Sequence, residues 1–364
     1  MNIKTDVVIV GAGPGGALLG YLLAKNNITT VVLERNSKID KTFRGEHINE
    51  QGEMILKKHN LFEKVRELGI LMMKKIEYWE GGQPLKTVFP DNQTEHLSIH
   101  IPQNHLLQVL TDEAKRYGTY RLLLGTSVYD LIQDGTGRYT GVKALHDGIE
   151  LQIDAKLVIG ADGRFSTIRK LANLPTSVRK HGYDLLWAKI PAPSGWEPTI
   201  RFALIDGHQL ALFTQAGGFV QIGWNIDQGS FQKLRKQSFE PFINGLIAAF
   251  PQLELPVRRN IRSWEDFIPL SVFSSQSEEW TREGLIMIGD AVHTMSPTGA
   301  FGINASLMDA DSLAEELVMS NKLSELSRSD LLIFEEERKK ATHALQEQQF
   351  KLERTFNEHF LVLS

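Results

Sequence analysis

The chain reads as an α/β protein in which a mostly parallel sheet of strand–helix–strand units carries an inserted, mostly antiparallel sheet and ends in a helical segment. Three observations predict this. Buried-strand runs at Val7–Val10, Leu157–Gly160 and Gly284–Ile288 each lead into a glycine-containing turn. Between 181 and 270 the texture changes to short alternating segments separated by Asp206-Gly207 and Gly217-Gly218, as antiparallel hairpins require. Residues 329–360 return to a helical pattern, apolar at 334, 341, 345, 352, 356 and 360.

Taken in order, residues 4–10 form the first strand, 15–26 a helix of small and apolar residues, and 29–33 the next strand. That is a βαβ unit of about 30 residues, the size of a mononucleotide-binding half. Residues 50–68 and 104–117 are amphipathic helices, and 76–101 have strand texture and are expected to join the inserted sheet. That sheet is built on 199–205, 209–214 and 219–224. No repeat or linker interrupts the chain, so the expected division is discontinuous. Residues 1–75, 102–180 and 271–320 form the nucleotide-binding domain, 76–101 and 181–270 the substrate-binding sheet domain, and 321–364 a C-terminal helical segment packed on the body.

The chain has 364 residues, room for about two domains of about 150 residues each. With 42% apolar and 23% charged residues it has an ordinary globular composition, and a net charge of -4 argues against nucleic acid or an anionic membrane as partner. The absence of cysteine removes disulfides, thiolate metal sites and a cysteine nucleophile, and no metal site is expected. No apolar run reaches the roughly 18 residues of a membrane span, and the N-terminus has no signal-peptide pattern, so a soluble cytoplasmic protein is expected.

Gly11-Ala12-Gly13-Pro14-Gly15-Gly16 fits G-x-G-x-x-G between a strand and a helix. The first glycine allows the tight turn, the second lets backbone approach a pyrophosphate, and the third lets helix and strand pack closely. Glu34 closes the second strand, where an acid accepts hydrogen bonds from ribose hydroxyls. The pattern alone does not separate NAD from FAD. Arg44, in Arg44-Gly45-Glu46-His47, reads equally as a phosphate contact or a solvated loop residue. Ala161 to Arg169 taken alone reads as a plain turn and helix start. The stretch from Gly289 to Asn304 is harder to explain so. Asp290 is placed to hold ribose or ribitol hydroxyls, and residues 297–302 deliver backbone amides at a helix start, which favour negative charge on a reduced heterocycle. His293 reads as a residue that holds this loop. Two strand–glycine–helix junctions nearly a whole chain apart suggest one extended ligand gripped at both ends.

Together, GAGPGG at 11–16, GADGRFSTIR at 160–169 and GDAVHTMSPTGAFGIN at 289–304 resemble the three fingerprints of the FAD-dependent aromatic hydroxylases, the single-component flavoprotein monooxygenases typified by para-hydroxybenzoate hydroxylase. The resemblance implies a Rossmann-like FAD-binding domain and carries roles onto matching positions. Gly11, Gly13, Gly16 and Glu34 would bind the ADP half, and Pro14, Gly15 and Arg35 are further candidate cofactor contacts. Arg44 would touch the pyrophosphate, Gln103 would lie near the phosphates in place of the commoner arginine, and Val128 would meet adenine. Asp162 and Gly163 match the segment associated with both FAD and NAD(P)H. Gly289 and Asp290 would hold the ribitol, and Pro297, Gly299, Ala300, Gly302, Ile303 and Asn304 would flank the isoalloxazine. Phe334-Glu335-x-x-Arg338 is similar to the family's Tyr-Glu-x-x-Arg helix start.

The implied chemistry is reduction of FAD by NADPH or NADH, formation of a flavin hydroperoxide with O2, and hydroxylation of an aromatic or polyketide-like small molecule. The cofactor carries the hard step, so no catalytic triad is expected. Phe213, Trp224 and Pro297 are the candidate substrate contacts, with Phe202 and Phe219 on the same sheet, these aromatics reading equally as pocket roof or as plain core, and His47 is a candidate polar group near the substrate. A flavin reductase or saturase shares these fingerprints, but its Pro-x-x-Tyr-x-Trp-x-Phe-Pro pattern is missing. A halogenase would carry Gly-x-Trp-x-Trp-x-Ile-Pro, and Gly223-Trp224-Asn225-Ile226 lacks the second tryptophan and the proline. A non-catalytic flavin-binding protein is the third alternative. A monomer or homodimer is expected.

Overall fold

The computed structural model describes residues 2–39, 46–91, 94–320, 323 and 325–360. Five parallel strands run in the order Leu285–Met287, Ile149–Gly160, Asn2–Val10, Thr30–Leu33 and Tyr120–Leu123. Val7, Val8, Ile9, Leu157, Val158 and Ile159 are fully buried, as in a sheet covered on both faces. The hairpin Thr126–Gln133 and Tyr139–His146 extends it antiparallel beside Ile149–Gly160. The helix Pro14–Lys25 packs closely because its small residues leave no room for more. A side chain at Gly20 would come within 2.8 Å of Val32, and one at Gly15 within 2.9 Å of the Ser306 carbonyl on the helix Phe301–Met319.

The inserted sheet has seven strands, ordered Ile268–Ser277, Thr176–Pro191, Phe219–Asp227, His208–Gln215, Thr199–Ile205, Lys75–Glu80 and Gln83–Val88. All pairs are antiparallel except Lys75–Glu80 with Thr199–Ile205. One face carries Leu186, Ala188, Leu210, Leu212, Ile222 and Trp224 into a core shared with Ile243, Leu246 and Val257 of the flanking helices Glu240–Ala249 and Glu254–Asn260. The other face turns toward the parallel sheet, for Tyr183, Phe213 and Gln215 reach residues of the first unit.

Four expectations are corrected in detail. Ser98–His100 does not join the seven-stranded sheet but pairs with His47–Ile48 and Leu71–Met73, because Ile99 is buried in the core of the first unit. Residues 50–68 form two helices, Glu50–Lys58 and Phe62–Leu68, broken at Asn60, which has φ 59°. The expected boundaries at 180/181 and 270/271 fall inside the strands Thr176–Pro191 and Ile268–Ser277. The C-terminal helix Arg328–Thr355 does pack on the body, yet past Phe334 it buries Glu335, Arg338, Thr342, Gln346 and Gln349, while Leu352 is exposed. Its inner face meets backbone that needs hydrogen-bond partners, so polar residues turn inward there.

Candidate active site

Strand register brings the motifs together. Gly160 stands opposite Met287 and Val10 opposite both Gly160 and Leu33, so the carboxyl ends of four strands form one line. From that line issue Gly289-Asp290, Ala161-Asp162-Gly163, the turn 11–16 and Glu34. This edge is where open α/β sheets bind ligands.

The first turn is a cradle that tolerates no side chains at two points. Gly11 has φ 108°, and a Cβ there would lie 2.3 Å from the Ala161 carbonyl. A Cβ on Gly16 would lie 2.0 Å from the Gly11 carbonyl. Among the described residues the space at Gly13 is open, and no side chain caps the helix that begins at Pro14. Its first N–H groups and the positive end of its dipole therefore suit a phosphate. Glu34 is buried and accepts from Ala12 N at 3.1 Å and from Asn36 N and Nδ2 at 3.0 and 2.8 Å. These features fit the ADP half of FAD.

The remaining ADP-side residues differ in placement. Arg35 is exposed. Arg44 lies outside the described residues. Gln103 is buried at the start of the helix Gln103–Ala114, and its N–H donates to Glu46 Oε1 at 3.2 Å. Val128 is half-buried against the main core just beyond the end of Tyr120–Leu123. Asp162 spends its carboxylate on its own turn, accepting from Ser166 Oγ at 2.5 Å, Thr167 N at 2.6 Å and Ile168 N at 3.1 Å. Burial pushes that carboxyl up despite these bonds. Gly163, at φ 82° with open space around it, is the part of this segment that a ligand can approach. Arg169, which the sequence left as a helix-start residue, donates to the Ala291 carbonyl at 2.6 Å and so ties the second motif to the third.

The third motif rests on a buried ionic group. Gly289 N–H donates to Asp309 Oδ2 at 2.8 Å, His293 Nε2 lies 2.5 Å from the same oxygen, and Arg338 Nε donates to Oδ1 at 2.8 Å. Burial works to raise the Asp309 carboxyl, but His293 and Arg338 outweigh it and hold it at about 2. His293 thus holds the loop from within the core. Asp309 was missed by the sequence reading, although an acid inside a helix of small and apolar residues is a legible signal. The chain then passes through Gly299 at φ 73° and Ala300 at φ 54° before Phe301–Met319 begins. A left-handed alanine costs about 1–2 kcal/mol, and such strain clusters where backbone must face a ligand. A Cβ on Gly302 would lie 3.8 Å from Asp290 Oδ1, which puts the ribitol and ring candidates side by side. Ile303 is buried. Asn304 fastens the opposite wall: Nδ2 donates to the carbonyls of His47 at 3.1 Å and Ala300 at 2.8 Å, and Oδ1 accepts Asn49 N–H at 3.1 Å.

The aromatic face of the inserted sheet reaches this loop through Tyr183, whose hydroxyl lies 3.0 Å from Thr298 Oγ1. Phe213 lies 5.3 Å from the His47 ring, 6.1 Å from Trp187 and 6.4 Å from Phe202, and Phe356 reaches Phe202 at 5.5 Å. Trp224 is not among them. It lies on the opposite face, stacked on Phe242 at 3.7 Å and 3% exposed, because alternation along Phe219–Asp227 sends it to the helix-side core. Phe219 is at the rim. His47 Nε2 is buried without a partner among the described residues, and burial, with His100 beside it, lowers its pKa to about 3, so the ring is neutral. Beside it a cavity of about 430 Å³ is lined by Glu46, His100, Lys189, Gln215, Phe219 and Gln221. His100 Nδ1 accepts Ala216 N–H at 3.1 Å, so its Nε2 carries the proton and donates to Glu46 at 3.1 Å.

A family profile described as "FAD binding domain" matches residues 4–349. A 6-methylpretetramide 4-monooxygenase of Streptomyces rimosus is 32% identical over 84% of this chain and 73% of its own length. The chain belongs to the FAD-dependent aromatic hydroxylase family. It is an FAD-dependent monooxygenase, an oxidoreductase. Two solved structures share its fold. PqsL of Pseudomonas aeruginosa, in complex with 2-aminobenzoylacetate, superposes with TM-score 0.83 at 19% identity over 97% of this chain and 96% of that one. The p-nitrophenol 4-monooxygenase PnpA of Pseudomonas putida superposes with TM-score 0.80 at 20% identity over 97% and 89%. Among the described residues no helix is long and apolar enough to cross a membrane, and no group of three or more histidines and acids is placed to hold a metal ion.

Proposed function

We propose that this monooxygenase hydroxylates a phenolic, polycyclic aromatic of the polyketide type, using O2 and NADH or NADPH. The observation that carries the proposal is the row Phe202, Phe213 and His47, tied to the loop 297–304 by the bond from Asn304 to the His47 carbonyl, with a cavity of about 430 Å³ beside it, lined by Glu46, His100 and Gln215. The monooxygenase of 6-methylpretetramide supports the substrate class.

Bound FAD supplies the redox chemistry: two electrons from NAD(P)H and one O2 give one oxygen atom on the aromatic ring and one water. The chain's residues hold and orient. The turn 11–16 binds phosphate through backbone amides, Glu34 holds ribose, Asp290 holds ribitol, and the amides of 299–302 face the ring end. Phe202 and Phe213 exclude water and stack the substrate. With His47 Nδ1 donating toward Ser98 Oγ at 3.4 Å, Nε2 is an acceptor for a substrate hydroxyl. Pro297 stands at the loop's entry and bounds the site there. The discontinuous division into FAD-binding, substrate-binding and C-terminal parts, a cytoplasmic setting where NAD(P)H is supplied, and a monomeric or homodimeric state complete the proposal.

The test is incubation with FAD, NAD(P)H, a phenolic polyketide panel and ¹⁸O2. One ¹⁸O atom in a product, with substrate-stimulated NAD(P)H oxidation, is expected. NAD(P)H oxidation that reduces a substrate double bond without incorporating ¹⁸O would assign the reductase chemistry instead.

A further inference from the structure

The inner face of the C-terminal helix supplies hydrogen-bond partners to the loop at the ring end. Gln346 Nε2 donates to the carbonyls of Ser275 and Thr294, both at 3.0 Å. Gln349 accepts Ser296 N–H at 3.2 Å and donates to the carbonyls of Ser296 at 2.7 Å and Thr298 at 2.5 Å. One turn on, Glu353 Oε1 accepts the hydroxyls of Ser296 at 2.8 Å, Thr298 at 2.7 Å and Tyr183 at 3.0 Å. Its Oε2 lies 2.6 Å from His181 Nδ1, and His181 Nε2 lies 2.6 Å from Ser274 Oγ. The His181 ring stacks on Phe350 at 4.2 Å.

Packing a helix on a body does not require this. Burying a carboxylate costs several kcal/mol unless it is paired, and an apolar contact would hold the helix as well. Burial works to raise the Glu353 carboxyl, yet bonds from His181, Thr298 and Ser296 hold it below the usual carboxylate range. The carboxylate is therefore ionised, and it joins three parts of the protein: the ring-end loop through Ser296 and Thr298, the inserted sheet through Tyr183, and the C-terminal helix.

We infer that Glu353 is a positioning residue that fixes the ring-end loop and places a negative charge one hydrogen bond from it, so that it sets how readily bound flavin is reduced. This rests on the assignment of residues 297–304 to the isoalloxazine end. The loop amides and the helix start favour negative charge on a reduced ring, and a fixed carboxylate beside them opposes it. Gln349 complements Glu353 by fixing the peptide groups on either side of Pro297.

Glu353→Gln removes the charge and keeps the shape. The amide oxygen has lone pairs for the Ser296 and Thr298 hydroxyls, Tyr183 can donate to Thr298 Oγ1 at 3.0 Å instead, and the amide NH2 can donate to His181 Nδ1 once the imidazole proton moves to Nε2, facing Ser274. The experiment compares FAD content, flavin absorption and the midpoint potential of the FAD-loaded protein, read anaerobically against reference dyes. The expected result is FAD content like wild type, a shifted absorption band and a more positive midpoint potential. Glu353→Ala, which frees Ser296 and Thr298, should lose FAD. If the Ala variant does not fold, the Gln variant carries the test. Glu353→Gln with wild-type absorption and an unchanged or more negative potential would overturn the inference and leave the loop assignment standing. Failure of that assignment would show separately, as wild-type FAD retention in Asp290→Ala.

Discussion

Asp309 accepts the backbone N–H of Gly289 at 2.8 Å, and through this bond the helix Phe301–Met319 holds the turn that presents Asp290. The same carboxylate is paired with His293 and Arg338, all three being buried. Asp309→Ala would leave His293 and Arg338 buried without their partner, an expected loss of about 3–5 kcal/mol of stability. Denaturant unfolding would measure it, and a loss below about 1 kcal/mol would contradict the ionic reading.

The pairing also fixes a pH dependence. The Asp309 carboxyl titrates at about 2 in the fold and near 4 when unfolded, so its contribution is complete above the unfolded value and is lost as pH falls toward 2. The stability gap between wild type and Asp309→Asn should therefore narrow between about pH 4 and 2. A gap constant across that window would reject the assignment.

His47 acts at a different pH. Its folded pKa is depressed to about 3, so the unfolded chain takes up its proton first, and the fold loses stability as pH falls from about 6.5 toward 3. His47→Gln removes that loss. The variant should resist acid unfolding better than wild type in this range, and NMR should find the wild-type ring neutral at about pH 5. A charged ring at that pH would rule out the buried acceptor proposed for the substrate.

Phe213 and Trp224 separate pocket from core. Phe213→Ala should raise substrate KM and waste NAD(P)H while costing little stability, because the ring is only half-buried. Trp224→Ala should cost about 3–5 kcal/mol through its cavity. Steady-state kinetics and thermal melts read the two effects, and the reverse pattern would place the pocket on the other face.

Much of this was legible beforehand. Each of the three fingerprints follows a parallel strand, and strand register needs only their apolar runs. Trp224 reads from sequence as pocket or core alike, because aromatic content marks a sheet but not its inward face, which depends on which side the helices Glu240–Ala249 and Glu254–Asn260 cover. The polar inner face of the C-terminal helix was hidden for a related reason. Gln346, Gln349 and Glu353 look like surface residues until the loop they serve lies beside them.

The two ends of the cofactor should differ in weight. Asp290→Ala should weaken FAD retention sharply, and Glu34→Ala less, because the turn 11–16 still holds the phosphates. Released FAD measured after gel filtration decides the order, and a greater loss from Glu34→Ala would reverse it.

Gly13 offers the most direct test of the whole site. Apart from its own chain neighbours, no atom of the described residues lies within 4 Å of where its Cβ would stand, and its φ of -71° suits alanine, so nothing among those residues opposes a methyl group there. FAD titrations of wild-type and Gly13→Ala apoprotein, followed by flavin fluorescence, should give a Kd at least about tenfold weaker in the variant, roughly 1.4 kcal/mol, with apoprotein melting changed little. An unchanged Kd would mean that the pyrophosphate does not rest on this turn, and would contradict the account.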